Sequence, residues 1–126
     1  NDTDVETANL TAVIAEQLPA NHPSKAIAQK FVDQYEAAYG KGNRNQFAAH
    51  AYDAIIVLEK VVPVALKKAK PGTPEFRAAL RDAIEQVKDL PGAHGIFSMS
   101  PTDHLGLDQR AYVMVKIVNG AWKYQP

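Results

Sequence analysis

The four histidines are the side chains of this sequence best suited to bind a metal ion or to transfer protons. They are His22, His50, His94 and His104. No two of them are four residues apart, the spacing that places two imidazoles on one helix face for zinc, and no HExxH motif occurs. The histidine spacing therefore predicts no metal site.

His104 lies between two carboxylates in the run Asp103-His104-Leu105-Gly106-Leu107-Asp108. An imidazole and two carboxylates so close together could bind a metal ion or perform acid–base chemistry. The run lacks the pattern of a calcium loop and the spacing of a known hydrolase, and aspartates often order turns through hydrogen bonds to the backbone. Loop ordering is the favoured role, and an enzyme remains an alternative only if Asp103 and His104 prove essential to some turnover.

Other nucleophiles and phosphate-binding motifs are missing from the sequence. There is no cysteine, which excludes disulfides, thiolate zinc sites and thiol nucleophiles. Ser98 and Ser100 have no GxSxG motif around them. Gly40-Lys41-Gly42 lacks the spacing of a phosphate loop and is typical of a helix end. We therefore expect a binding protein that is not an enzyme and has no cofactor.

Charge and hydropathy exclude two further classes. The 14 lysines and arginines balance the 14 aspartates and glutamates. A nucleic-acid binder would show a basic excess, because neutralising phosphates supplies much of its affinity. No run approaches the ~18 apolar residues of a membrane span. Composition alone leaves the cellular compartment open.

Phe47 is the residue that most suggests ligand recognition. It stands at the start of a predicted helix, just after Gly42-Asn43-Arg44-Asn45. A helix N-terminus offers N–H groups and a positive dipole end to a carboxylate, and an aromatic ring there could contact the apolar part of a ligand. Phe47 as an ordinary core residue is equally compatible with the pattern. His50 lies beside the apolar stripe of the same helix, where a hydrogen-bonded surface or core-edge histidine is favoured over a ligand contact.

Hydrophobic periodicity predicts the elements that position these residues. A short run with apolar residues on both sides predicts a buried strand, three apolar stripes predict helices, and Asn119-Gly120 predicts a hairpin turn. Pro63 predicts a kink in the second helix, because proline cannot donate to the carbonyl of Glu59. The predicted elements are a strand over Leu10–Leu18, helices over Ser24–Tyr39, Gln46–Lys70 and from Thr73 to just before Pro91, a short strand at Ile96 and Phe97, and a hairpin of Ala111–Val118 with Ala121–Tyr124.

This order of elements is unusual for a complete α/β domain. One leading strand cannot form a sheet until the chain returns about 80 residues later. Three helices with wide apolar stripes also need a sheet to cover, and only the final hairpin offers one. The layout is better explained as part of a larger fold.

Several segments resemble the C-terminal third of branched-chain amino-acid-type (type I) periplasmic substrate-binding proteins, the solute receptors of ABC importers. The similarity runs from about Leu10 through nearly the whole chain, and its order and spacing make it fairly specific. The segments that carry it are Ala15–Pro19, Phe31-Val32 with Tyr35-Glu36 and Tyr39-Gly40, Phe47–Ala54, Gly92–Phe97, Ser100–Asp103 and the hairpin around Asn119-Gly120.

The resemblance implies a two-lobed receptor whose parallel sheets are flanked by helices and joined by three crossover strands. Residues 10–19 would be a crossover strand, residues 20–94 the helical part of the first lobe, and residues 95–126 the last crossover and a hairpin of the second lobe. Phe47 would face the ligand, with His50 as a weaker neighbour. The ligand would be a small amino acid, an amide or an aromatic carboxylate, and the membrane permease of an importer would be the partner. The resemblance also implies a periplasmic location, with any signal peptide outside residues 1–126.

The sequence departs from this family because most of both lobes is missing. The family's main ligand contacts come from loops that precede such a segment, so we expect uncovered helix faces and sheet edges and self-association that hides them. Two other functions remain open. One is a ligand-sensing ectodomain of the same fold, and the other is a small self-contained interaction module.

Overall fold

A computed structural model describes residues 6–126 as three helices, two short 3-10 helices and five short strands. The α/β class expected from the sequence is confirmed. The elements are β1 (Glu6–Ala8), a 3-10 helix (Ala15–Gln17), α1 (Lys25–Tyr39), α2 (Gln46–Leu66), α3 (Pro74–Glu85), β2 (Leu90–Pro91), β3 (Ile96–Phe97), a second 3-10 helix (Gln109–Ala111), β4 (Val113–Val118) and β5 (Ala121–Gln125).

Two of the three helices, α2 and α3, begin directly after a residue whose side chain caps them. The side chain of Asn45 accepts the N–H of Ala48 at the start of α2, at 3.0 Å. Thr73 accepts the N–H of Phe76 at 3.1 Å, and Pro74 occupies the first position of α3. These contacts satisfy N–H groups that have no acceptor within the helix.

Two helices end earlier than the periodicity predicts. α2 stops at Leu66, where the N–H of Lys67 bonds to the carbonyl of Val64, only three residues back. α3 stops at Glu85, and the N–H of Val87 bonds to Ile84 in the same tightened way. The apolar stripe of α3 continues past the helix end because a terminal 3-10 turn still directs the side chain of Val87 into the core.

The predicted hairpin is confirmed, and it belongs to a three-stranded antiparallel sheet in the order β1-β4-β5. Asn119 and Gly120 have φ values of 51° and 76°, the positive values that a tight two-residue hairpin turn needs. β4 begins at Val113, two residues later than expected, because Gln109–Ala111 forms the second 3-10 helix. The strand at Ile96 and Phe97 is also confirmed, and it pairs with β2, which the sequence did not predict.

The prediction of a strand over Leu10–Leu18 is wrong. This segment forms turns and the first 3-10 helix, and the leading strand of the described chain is β1. Its apolar residues point to two sides because the segment is packed between the helices and the sheet. Ala12 and Ala15 contact the helical core, whereas Ile14 and Leu18 pack on β4. We call Leu10–Leu18 the joint segment.

The core of the described residues consists of three clusters, two of which include residues of this segment. One lies between α1, α2 and the joint segment, and another lies between the joint segment and the three-stranded sheet. The remaining cluster lies between α2, α3 and β3. The buried members of this last cluster are Val57, Val61, Ala83, Val87, Phe97 and Met99.

Pro63 provides a test of helix energetics, because it lies exposed in the last turn of α2. Replacing it with alanine restores an N–H donor for the carbonyl of Glu59 and removes the clash of the proline ring. We expect Pro63→Ala to raise the free energy of unfolding by about 1 to 3 kcal/mol, measured by urea denaturation with circular dichroism. Pro74→Ala is the matched control, since the first position of α3 needs no donor and should gain nothing. Equal gains in the two variants would contradict this account.

Candidate functional site

Phe47 lies in the first turn of α2, and its side chain is 74% exposed. Within the described residues, Phe47 is therefore not part of the core. The positive end of the helix dipole lies beside the ring, because Asn45 caps the helix two residues earlier. An exposed aromatic ring next to a helix N-terminus could contact a ligand that has an apolar body and a carboxylate.

A fully buried histidine fixes the start of α2. His94 Nδ1 accepts the N–H of Ala12 at 3.4 Å, and Nε2 lies 3.1 Å from the carbonyl oxygen of Gln46. Both contacts are satisfied by a neutral imidazole that carries its proton on Nε2. The pKa of His94 is lowered to about 4, chiefly by burial and also by the neighbouring His50, while the hydrogen bond to the Gln46 carbonyl opposes the shift. His94 thus holds the residue that directly precedes Phe47.

A buried carboxylate holds His94 in turn. Asp53 is 1% exposed, and it accepts the N–H groups of Ala93 at 2.5 Å and of His94 at 2.9 Å. Burial raises the pKa of Asp53, and the two N–H donors together with His50 oppose the shift. A Cβ on Gly92 would lie 2.8 Å from the Asp53 carboxyl carbon and 2.7 Å from the Phe97 ring. The loop can therefore approach α2 this closely only with glycine at that position.

His50 lies one turn after Phe47 and is exposed, as a helix-surface histidine would be. Its ring centroid is 4.5 Å from that of His94. His50 also lines one end of an apolar groove of about 440 Å³ between α2, α3 and the loop after β3. Leu58 and Leu105, both exposed, line the same groove.

The loop that contains His104 has a structural role, as the sequence favoured. One Asp103 carboxylate oxygen accepts the N–H groups of Leu105 and Gly106, both at 3.0 Å. His104 Nε2 lies 3.1 Å from a carboxylate oxygen of Glu85, and the imidazole is exposed. Within residues 6–126 no group of three or more histidine, aspartate or glutamate side chains could hold a metal ion.

Sequence reasoning missed Asp53 and His94. The sequence did contain a signal for Asp53, because this residue is four positions from both Ala49 and Val57, which lie on the buried face of α2. A carboxylate at a core position requires donors close by. The sequence offers no comparable signal for His94, whose partners Ala12 and Gln46 are 82 and 48 residues away.

Comparisons with known proteins agree on one kind of molecule. Residues 4–121 match the model of a family described as periplasmic binding protein. The chain is similar to a solved extracellular ligand-binding receptor from Rhodopseudomonas palustris, with 40% identity and a TM-score of 0.85. A second extracellular ligand-binding receptor from that species is 37% identical, with a TM-score of 0.88. No curated protein matches the sequence.

The similarity covers 97% of this chain in both comparisons, but only 33% and 34% of the two receptors. The chain therefore spans about a third of the length of the solved structures that it matches. Among the helices of residues 6–126, none has the length and hydropathy needed to cross a membrane.

The buried state of His94 predicts how stability depends on pH. The unfolded chain binds a proton at this imidazole near pH 6.5, whereas the folded chain does so near pH 4. The stability that neutral His94 contributes is therefore fully present above pH 6.5 and is lost as the pH falls towards 4. This loss lowers the free energy of unfolding by about 3 kcal/mol. The raised pKa of Asp53 has the opposite effect on stability, because it lowers the free energy of unfolding as the pH rises past 3.8. Because the two effects oppose each other, the contribution of His94 is taken from the difference between the original chain and a His94 variant, in urea unfolding measured between pH 7 and pH 4.

His94→Asn should flatten this pH profile, and the slope is compared rather than the absolute stability. A residual slope is expected, because burial also lowers the pKa of His22. His104→Asn removes an exposed imidazole and should keep the full slope. Parallel profiles for the original chain and His94→Asn would refute the assignment.

Proposed function

This chain belongs to the periplasmic binding protein family, and on that basis we propose that it forms part of a receptor that captures a small molecule for an ABC importer. The ligand class is a small amino acid, an amide or an aromatic carboxylate, and the receptor delivers it to a membrane permease from the periplasm. The extracellular ligand-binding receptors with similar structures support capture of a ligand.

The observation that carries the proposal is the exposure of Phe47 at the N-terminus of α2. A large aromatic side chain that is 74% exposed loses apolar contact with water when a ligand covers it. The helix dipole favours a carboxylate at the same place. Because His94 and Asn45 fix the backbone on either side, the ring is presented from a preformed helix start.

His50 is the second proposed contact. Its imidazole is exposed one turn further along α2, where it could donate a hydrogen bond to a carboxylate or an amide carbonyl. The buried ring of His94 lies on its inner side, so the outer side of the His50 ring is the one left for a ligand.

The lobe assignment is part of the same proposal. Residues 20–94 contribute to the first lobe, and residues 95–126 contribute the last crossover and the hairpin of the second. β1 and the joint segment form the connection between them. Two contacts support this lobe assignment: β1 pairs with β4, and the joint segment packs on α1 and α2.

The apolar groove supports a further part of the proposal, namely self-association when this face is left uncovered. Other exposed apolar residues of α2 lie outside the groove, at Ile55, Val64 and Leu66, and Ile55 lines a second groove against α1. Large exposed apolar areas are normally covered by another part of the fold or by a partner.

The test is titration of the isotopically labelled chain with leucine, propionamide and benzoate, followed by NMR at the amides of Gln46, Phe47 and Ala48. We expect saturable shifts for at least one compound, with an affinity near the millimolar range because a third of a receptor supplies only part of a cleft. Phe47→Ala should weaken binding by about tenfold or more.

Tyr112→Ala is the matched control, because Tyr112 is also an exposed aromatic residue, 52% exposed, but lies before β4. A chimera in which this chain replaces the matching third of the Rhodopseudomonas palustris receptor repeats the comparison with a complete cleft. Binding that is unaffected by Phe47→Ala in both settings would reject Phe47 as a ligand contact, and binding of none of the three compounds would reject the ligand class.

A further inference from the structure

We propose that Glu16, Gln17 and Arg44 form a brace that ties the hairpin of β4 and β5 to the N-terminus of α2. The three residues are positioning residues and need not touch a ligand. Under the proposed function these two parts belong to different lobes, so the brace acts across the hinge of the receptor. That last clause rests on the proposed lobe assignment, whereas the brace itself rests on contacts within this chain.

The hairpin end of the brace is the side-chain amide of Gln17. Its Nε2 donates to the carbonyl of Trp122 at 3.0 Å, and its Oε1 accepts the N–H of Tyr124 at 3.0 Å. β5 is the edge strand of the sheet, so these backbone groups face away from β4. The side-chain amide of Gln17 therefore pairs with β5 as a residue of a neighbouring strand would. Because it contacts both Trp122 and Tyr124, it restrains β5 from sliding in either direction along the strand.

The helix end of the brace is the ion pair of Glu16 and Arg44. Both guanidinium Nη atoms contact the two carboxylate oxygens, with Nη2 to Oε2 at 3.0 Å, and the pairing has the two-pronged geometry that gives arginine its directional specificity. Arg44 Nε also lies 3.8 Å from a carboxylate oxygen of Glu36 in α1. Arg44 directly precedes Asn45, the cap of α2, so the pair acts next to the helix start.

The two ends are joined through one peptide bond of the first 3-10 helix. This helix is held from its other side by Lys25, whose Nζ lies 3.3 Å, 3.2 Å and 2.5 Å from the carbonyl oxygens of Ala15, Glu16 and Leu18. A turn fixed in this way cannot rotate freely, so a displacement of Arg44 is passed to Gln17. The path of contacts from Tyr124 to Asn45 is short and continuous, so a displacement of the helix start can be passed to the hairpin.

The brace borders a gap of about 410 Å³ between the turn of the hairpin and the loop from α1 to α2. Gln17, Glu36, Arg44, Gly120 and Trp122 are among the residues that line it. The Glu16 side chain is 50% exposed and that of Arg44 is 21% exposed. Exposed ion pairs are weak and are screened by salt. The brace can therefore break and re-form during a hinge motion, which a buried pair could not do as readily.

Amide hydrogen exchange of the 126-residue chain tests the brace without any ligand. Gln17→Ala removes the acceptor of the Tyr124 amide and should accelerate exchange there by about tenfold. The decisive variant is Arg44→Met, which leaves Gln17 and Tyr124 intact. If the brace transmits displacement, exchange at Tyr124 rises by about threefold or more in this variant. The charge swap Glu16→Arg with Arg44→Glu should restore part of the protection, because a carboxylate at position 44 would also face Glu36.

Arg110→Met is the matched control, because Arg110 also forms an exposed pair, with Asp89 and Asp108, and should leave Tyr124 unchanged. The proposal is overturned if Arg44→Met leaves exchange at Tyr124 as it was, since Gln17 would then be a local contact only. It is also overturned if Arg44→Met accelerates all amides of the chain equally, which would indicate a general loss of stability. Neither result affects the ligand titrations of Phe47→Ala, so the brace and the proposed function can fail separately.

Discussion

A carboxylate that is removed from water must recover its lost hydration from hydrogen-bond donors, and Asp53 recovers it from the backbone of the loop after β2. That requirement places the loop against α2, and it explains why glycine precedes Ala93. The loop then carries His94 into the space between α2 and the joint segment, where the imidazole contacts Ala12 and Gln46. Removing the carboxylate would leave two buried N–H groups without their acceptor, so the position of the loop, the histidine and the helix start all depend on this one group.

The joint segment transmits that arrangement to the sheet. Its small residues, Ala12 and Ala15, allow close packing against the helices, and its larger residues, Ile14 and Leu18, fill the space over β4. The polar groups of the same segment are engaged as well, since Lys25 contacts three of its carbonyl oxygens. The segment is therefore specified on two sides at once, even though it has no regular hydrogen-bonded ladder of its own.

Such a segment is difficult to recognise in a sequence because its pattern imitates a buried strand. Alternating apolar residues indicate that both sides of Leu10–Leu18 are covered, which is true, but they do not indicate the backbone conformation. The helices were predictable because their signals are local, such as the apolar stripes and the glycine after Tyr39. The Asn119-Gly120 turn is local too. The paired strand β2 and the contacts of His94 depend on residues far apart in the chain, and no short-range pattern specifies them. Phe47 was recognisable as a candidate, but its exposure depends on how α2 packs and could not be deduced from the helix pattern.

The start of α2 is consequently held by two sets of contacts with different physical character. On the buried side, His94 forms a hydrogen bond to the carbonyl of Gln46. The surroundings there exclude water and keep the imidazole neutral. Arg44 holds the preceding loop from the exposed side through an ion pair that solvent can compete with. The same few residues therefore have one contact that is shielded from water and another that is exposed to it. Both contacts lead to the joint segment, one at Ala12 and the other at Glu16, so a single short stretch of chain connects the helix start to the sheet.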